Sequence, residues 1–148
     1  MSKPIPKSIL SLDIGSKRIG LAGCDPLGIT VKTLQAIKRK GLKEDLKIFQ
    51  IHCRERSVKG LVIGIPLDQS GNMTPQAERC KQYGLRIAKE LGLPIAWVNE
   101  HSSTWEAENI YKLKGDRTGM LDSAAALLLL KQWLSDGPEL KPVDLASH

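Results

Sequence analysis

The chain has no long hydrophobic run and no pattern of cysteines typical of a metal site. None of its apolar stretches approaches the length of a membrane-spanning helix, and the first seven residues, MSKPIPK, contain no apolar core of signal-peptide length. We therefore expect a cytoplasmic protein without a membrane partner. Cys24, Cys53 and Cys80 are an odd number and lie far apart, which argues against a zinc site and predicts reduced, buried thiols.

Acidic residues are outnumbered by basic ones, because 22 Lys and Arg stand against 16 Asp and Glu and give a formal net charge of +6. A charge of this size favours a polyanionic partner such as nucleic acid. The length of 148 residues fits one domain with its own core. We expect that domain at residues 8–135, between a flexible lead at 1–7 and a flexible tail at 136–148. The sequence leaves monomer and homodimer open.

The spacing of apolar residues predicts alternating strands and helices. Alternation on both sides of Gly15-Ser16-Lys17 predicts a β-hairpin, which a third strand extends into a meander. Thr74-Pro75 is a helix start, and Ser103 with Glu106 has capping-box spacing. In chain order we expect strands at 9–14, 18–24 and 29–37, a helix from 42, a strand at 61–65, a helix at 75–91, a strand at 94–98, and helices at 103–113 and 121–134.

This order of elements predicts the fold class. Strand-helix-strand units favour parallel pairing with right-handed crossovers. Three antiparallel strands and two parallel strands would then share one mixed, five-stranded sheet flanked by helices. An α/β chain in this order, with an acidic residue in its first strand, matches the RNase H-like fold.

Asp13 is that acidic residue, and it lies between Leu12 and Ile14 in the first predicted strand. An ionised carboxylate at such a position is costly to bury unless a cation or several hydrogen-bond donors satisfy it. A bound metal ion would do so, and so would the backbone amides of the turn at Gly15. The strand alone leaves both interpretations open.

Two further acidic residues fall where an open α/β sheet collects ligands. Glu100 follows the fifth predicted strand, and Asp122 begins the last helix. With Asp13 they offer three oxygen ligands of the kind that Mg²⁺ or Mn²⁺ prefers, and two such ions about 4 Å apart can promote phosphodiester hydrolysis. An acidic residue at a helix start also stabilises the helix dipole, which explains Asp122 alone but not three converging acids.

Four motifs, in order, resemble those of the YqgF (RuvX) family. They are LDIGSKRIG at 12–20, VIGIPL at 62–67 followed by Gly71, NEHSST at 99–104, and LDSAAA at 121–126. That family is similar to Holliday junction resolvases of the RuvC type and is described as processing the 5′ end of precursor 16S ribosomal RNA in the bacterial cytoplasm. The resemblance covers residues 8–135 and implies an RNase H-like, metal-dependent nuclease. Its catalytic and metal-binding acids would be Asp13, Glu100 and Asp122.

The sequence departs from the family pattern at two places. The family usually has an Asp before its Glu and an Arg after it, where this chain has Asn99 and His101. A basic residue shortly before the last Asp is also missing, and Arg117 is the nearest candidate. His101 either donates to phosphate in place of the Arg or caps a turn. The residues that we expect to contact phosphate without reading base sequence are Lys17, Arg18, Lys38, Arg39, Lys40, His101 and Arg117.

Three functions remain in competition. The first is a metal-dependent nuclease that acts on precursor ribosomal RNA or, alternatively, on branched DNA as a Holliday junction resolvase does. The second is a nucleic-acid-binding module that assists ribosome maturation without cutting, which Asn99 and His101 favour. The third rests on Asp13-x-Gly15-Ser16, which also resembles the phosphate loop of actin-like ATPases and sugar kinases. Those enzymes hold nucleotide between two such domains and this chain has room for one, so we rank that function last.

Overall fold

The computed structural model describes residues 7–99 and 120–143 of the chain. The predicted helix at 103–113 lies outside these ranges. The helices and strands within them are β1 (Ile9–Ile14), β2 (Arg18–Cys24), β3 (Val31–Lys38), α1 (Leu42–Arg56), β4 (Gly60–Ile65), α2 (Pro75–Leu91), β5 (Ile95–Asn99) and α3 (Met120–Asp136).

The five strands form one mixed sheet in the order β3-β2-β1-β4-β5. β2 runs antiparallel to both β1 and β3, whereas β4 is parallel to β1 and β5 is parallel to β4. The predicted fold class, an antiparallel meander extended by two parallel strands, is therefore confirmed. β5 lies two places from β1, so their axes are about 10 Å apart.

Helices cover both faces of the sheet because its central strands are apolar on both sides. Along β1, Leu10 and Leu12 belong to a buried cluster that contains Phe49 of α1 and Ile87 of α2. Ile9, one residue earlier, belongs to a second cluster, which α3 supplies with its apolar residues Ala126, Leu129, Leu130 and Trp133. Alternate residues of β1 thus face opposite helical layers, as the pleat of a strand requires.

Two strands begin later than the spacing of apolar residues predicts. Both carboxylate oxygens of Asp25 accept backbone hydrogen bonds, from Ile29 at 3.0 Å and Thr30 at 3.1 Å, so these residues belong to the turn and β3 starts at Val31. β5 starts at Ile95 because Pro94 has no amide hydrogen to donate. The predicted start of α2 is confirmed, since the Thr74 hydroxyl accepts a hydrogen bond from the Ala77 amide at 3.0 Å.

The described segment after α3 returns to the sheet. The backbone of Lys141 forms two hydrogen bonds with Ile95, each 2.9 Å long. Cys24 and Cys80 are buried, as predicted, whereas Cys53 is half-buried, and partial burial raises the pKa of its thiol to about 11. Within residues 7–99 and 120–143, no helix combines the length and apolar character needed to cross a membrane.

Candidate functional site

Asp13 is half-buried near the carboxyl end of β1, on the face of the sheet that α3 covers. Ser11, two residues earlier on the same face, donates its hydroxyl hydrogen to the Ala126 carbonyl of α3 at 2.7 Å. The hairpin register places Asp13 opposite Gly20 of β2. Residues paired in this way have Cα atoms about 4.5–5.5 Å apart.

Gly20 brings the first turn of α3 next to Asp13. A Cβ atom added to Gly20 would lie 1.9 Å from the carbonyl oxygen of Asp122 and 2.7 Å from the amide nitrogen of Ser123. The helix backbone therefore occupies the space that any other residue would fill with its side chain. The backbones of Asp13 and Asp122 both adjoin Gly20, so two of the three predicted acids start from neighbouring positions.

Ser123 holds this helix start against the sheet. Its buried hydroxyl donates to the Leu34 carbonyl of β3 at 2.7 Å and accepts from the Leu21 amide of β2 at 3.3 Å. A hydroxyl that is buried and hydrogen-bonded on both sides fixes the position of the turn that carries Asp122. No sequence pattern predicted this role of Ser123.

The Asp122 carboxylate accepts a hydrogen bond from Arg18 Nε at 2.9 Å. Arg18 is the first residue of β2, directly after the hairpin turn, and the exposed fractions of the two side chains are 45% for Arg18 and 26% for Asp122. At such exposure the ion pair contributes little to stability. Its main consequence is local, since an Arg predicted to contact phosphate neutralises one of the predicted metal ligands.

The third predicted acid, Glu100, lies outside the described residues, as do His101 and Arg117. The residue before Glu100 is Asn99, the last of β5, whose register partner on β4 is Ile65. Among the residues that the structure describes, no group of three or more His, Cys, Asp or Glu side chains could hold a metal ion. Asp13 and Asp122 are hard oxygen donors that fit Mg²⁺ or Mn²⁺, and a site for either ion requires further ligands.

The five predicted phosphate-contacting residues within the described ranges lie around the hairpin turn that follows β1. Arg18 is paired with Lys38 across the β2-β3 ladder, and the Arg39 amide donates to the Lys17 carbonyl at 2.9 Å. Like charges directly opposite each other destabilise a sheet, and the Asp122 carboxylate offsets this pair by accepting a hydrogen bond from Arg18. We call these residues the basic cluster: Lys17, Arg18, Lys38, Arg39 and Lys40.

Arg39 is the most constrained member of the basic cluster. Its Nη1 donates to the Gly15 carbonyl at 2.7 Å, and its guanidinium lies 4.4 Å from the centre of the Tyr83 ring. The Tyr83 hydroxyl donates in turn to the buried carboxylate of Asp45 at 2.8 Å. Burial, with a smaller effect of this hydrogen bond, raises the pKa of Tyr83, so the hydroxyl stays protonated at neutral pH.

Comparison with known proteins identifies the same family as the four sequence motifs do. The model of the RuvX family, described as "Holliday junction resolvase", matches residues 7–136. A protein of Prochlorococcus marinus (strain MIT 9313) named "Putative pre-16S rRNA nuclease" is 60% identical over 147 residues, which are 99% of this chain and 91% of the relative. One of the same name from Synechococcus sp. (strain CC9605) is 64% identical over 140 residues, 95% of this chain and 89% of the relative.

A solved structure shares the fold. The chain of Thermus thermophilus RuvC in complex with a Holliday junction substrate superposes with a TM-score of 0.53, at 16% sequence identity. The match covers 92% of this chain and 99% of the RuvC chain. The RNase H-like architecture predicted from the order of elements is confirmed by this likeness.

Proposed function

Because this chain belongs to the RuvX family, we propose that it is a divalent-metal-dependent nuclease that trims the 5′ end of precursor 16S ribosomal RNA in the cytoplasm. The observation that supports the proposal is that the Asp122 backbone lies against Gly20, the register partner of Asp13, while its carboxylate pairs with Arg18 of the basic cluster. Carboxylates next to cations suit a site that must hold a metal ion and an anionic substrate together.

Asp13 and Asp122 would hold the metal ion, and Glu100 would complete the ligand set. When bound, a hard divalent ion supplies Lewis acidity toward a phosphate group. The protein's own residues position the substrate. Lys17, Lys38 and Lys40 are exposed beside the hairpin and would bind phosphates on either side of the bond to be cut.

Arg18 would change partner from Asp122 to a phosphate when the nucleic acid binds. In the structure it pairs with Asp122, and its guanidinium would be free to turn to a phosphate if that carboxylate held a metal ion. The side chain is about half exposed, so this movement requires no repacking of the core. The same residue would then protect Asp122 in the free protein and contact the nucleic acid in the complex.

A cleavage assay on precursor 16S RNA with Mn²⁺ or Mg²⁺ tests the proposal, with the Asp13→Asn protein measured alongside. We expect a shortened 5′ end with the wild-type chain and none with the variant, while binding of the RNA is largely retained. An RNA that wild-type protein binds but does not cut with either ion would establish the non-cleaving module instead.

Branched DNA is the second candidate substrate, because the family model carries the description "Holliday junction resolvase" and the structurally similar RuvC chain is bound to a junction. The same assay with a four-way DNA junction separates the two candidates. Faster cleavage of the junction than of the RNA at equal concentration would assign the activity to DNA.

A further inference from the structure

A pocket of about 590 Å³ opens beside the carboxyl end of β1, on the opposite side of the strand from Asp13. Its floor is apolar and consists of Ile14 and Cys80, both of which pack in the layer of α1 and α2. Around the floor stand Ser16, Arg39, Gln76 and Arg79. The volume lies within the usual range for small-molecule sites, about 300–1,000 Å³.

The described lining of this pocket is cationic. Arg39 and Arg79 are two guanidinium groups, Ser16 and Gln76 add neutral polar groups, and no carboxylate is among the described lining residues. Salt bridges within residues 7–99 and 120–143 do not include Arg39 or Arg79. The charge therefore favours an anionic occupant, and the first turns of α2 add the positive end of a helix dipole.

Arg39 is held in place by contacts that leave most of its donors for a ligand. One N–H donates to the Gly15 carbonyl, and the guanidinium plane lies on the Tyr83 ring. A guanidinium carries five N–H donors in a fixed fork that matches the oxygens of a phosphate. Because Tyr83 and Asp45 already fix its position, little side-chain entropy remains to be lost on binding.

The pocket and the acidic site share one strand end. Asp13 is followed by Ile14 and Gly15, and successive Cα atoms are about 3.8 Å apart. A nucleic acid strand with one phosphate beside Asp13 and Asp122 thus reaches the pocket by crossing the end of β1. This strand end is followed by the hairpin turn, in which the Gly15 amide donates a hydrogen bond to the Arg18 carbonyl at 2.9 Å.

We propose that this pocket binds the backbone phosphate of a nucleotide next to the scissile bond of single-stranded RNA, with Arg39 and Arg79 as its ligands. The inference rests on the proposed nuclease function and adds a second site to it, on the other side of β1 from the catalytic acids. Arg79 becomes a substrate-positioning residue that no sequence motif singled out.

Arg79→Gln is the direct test, and Arg86→Gln is its matched control. Both arginines are exposed on α2, seven residues apart, which places them on nearly the same face and about 10 Å apart along the helix. Binding of a single-stranded oligoribonucleotide is measured by fluorescence anisotropy in EDTA over a range of salt concentrations. A second RNA series carries one uncharged methylphosphonate linkage at each position in turn.

We expect Arg79→Gln to weaken binding about tenfold, the effect of one lost charge-assisted contact, and to lower the salt slope by about 1. Arg86→Gln should change affinity by less than about twofold, since its charge is screened over that distance. One methylphosphonate position should weaken binding to the wild-type protein and have no further effect on Arg79→Gln.

The pocket would be overturned if the two substitutions weakened RNA binding equally. It would also be overturned if methylphosphonates at every linkage weakened binding evenly in both proteins. Cleavage of the same RNA with Mn²⁺ is followed in parallel and distinguishes the two proposals. If the wild-type protein cleaves the RNA but Arg79→Gln binds it as tightly as Arg86→Gln does, the pocket is refuted and the nuclease function stands. An effect confined to one methylphosphonate position and dependent on Arg79, without cleavage, would support the pocket and refute the nuclease function. Absence of RNA binding to the wild-type protein would refute both.

Discussion

Substituting Gly20 by Ala tests whether Asp13 and Asp122 share one site. The new methyl group would lie 1.9 Å from the Asp122 carbonyl oxygen, whereas real Cβ atoms essentially never come within 3.0 Å of such an atom. The first turn of α3 would have to move by roughly 1 Å, and overpacking of this kind costs about 1–3 kcal/mol. Because the obstructing atoms are backbone, we expect the upper end of that range.

A loss of about 3 kcal/mol corresponds to a fall in Tm of roughly 6–12 °C for a chain of this size. The matched control is Gly60→Ala in β4, where the added Cβ would meet the flexible end of the Leu140 side chain at 2.6 Å. Calorimetry measures both Tm values, and cleavage is then assayed well below the lower one. We expect Gly20→Ala to lose both stability and activity. If it were as stable and active as Gly60→Ala, the proposed contact between β2 and α3 would be refuted.

Three further predictions concern the contacts around the site. Arg18→Gln should release the Asp122 carboxylate and raise Mn²⁺ affinity severalfold in calorimetric titration, with at most about 1 kcal/mol lost in stability; an equal gain in Lys17→Gln would contradict this. Ser123→Ala should cost about 1–3 kcal/mol in urea unfolding because two buried hydrogen bonds are lost, whereas the exposed Ser135→Ala should be neutral. The raised pKa of Tyr83 implies stability that is fully present below about pH 10 and lost as pH rises through the folded-state pKa. Tyr83→Phe should lack this alkaline loss, and it should be less stable at neutral pH because the buried Asp45 carboxylate loses a hydrogen-bond donor; the same alkaline loss in both proteins would rule the mechanism out.

Much of the fold could be predicted because local patterns and packing agree. The hairpin at Gly15, the Thr74-Pro75 helix start and the apolar run at 61–65 each specify one element, and the order of elements restricts the topology. The predicted start of β3 is two residues early because Asp25 accepts hydrogen bonds from the Ile29 and Thr30 amides. Apolar spacing contains no information about that turn.

The site was only partly predictable for a different reason. Each acid could be proposed from its place at the end of a strand or the start of a helix, but the meeting of Asp13 with Asp122 depends on the missing side chain of Gly20. Gly20 lies within the motif at 12–20, and a glycine inside a strand often marks a close backbone approach, which is the signal that could have revealed it. Arg79 gave no comparable signal, since its role depends on how α2 packs beside Arg39.

The most direct measurement of the central claim is the single-turnover cleavage rate of Asp13→Asn, Asp122→Asn and the double variant on the same RNA. Residues that serve one metal site act as a unit, so we expect each single substitution to abolish most of the activity and the double substitution to cost little more. Rates that fall independently, with the double loss equal to the product of the two single losses, would contradict a shared site.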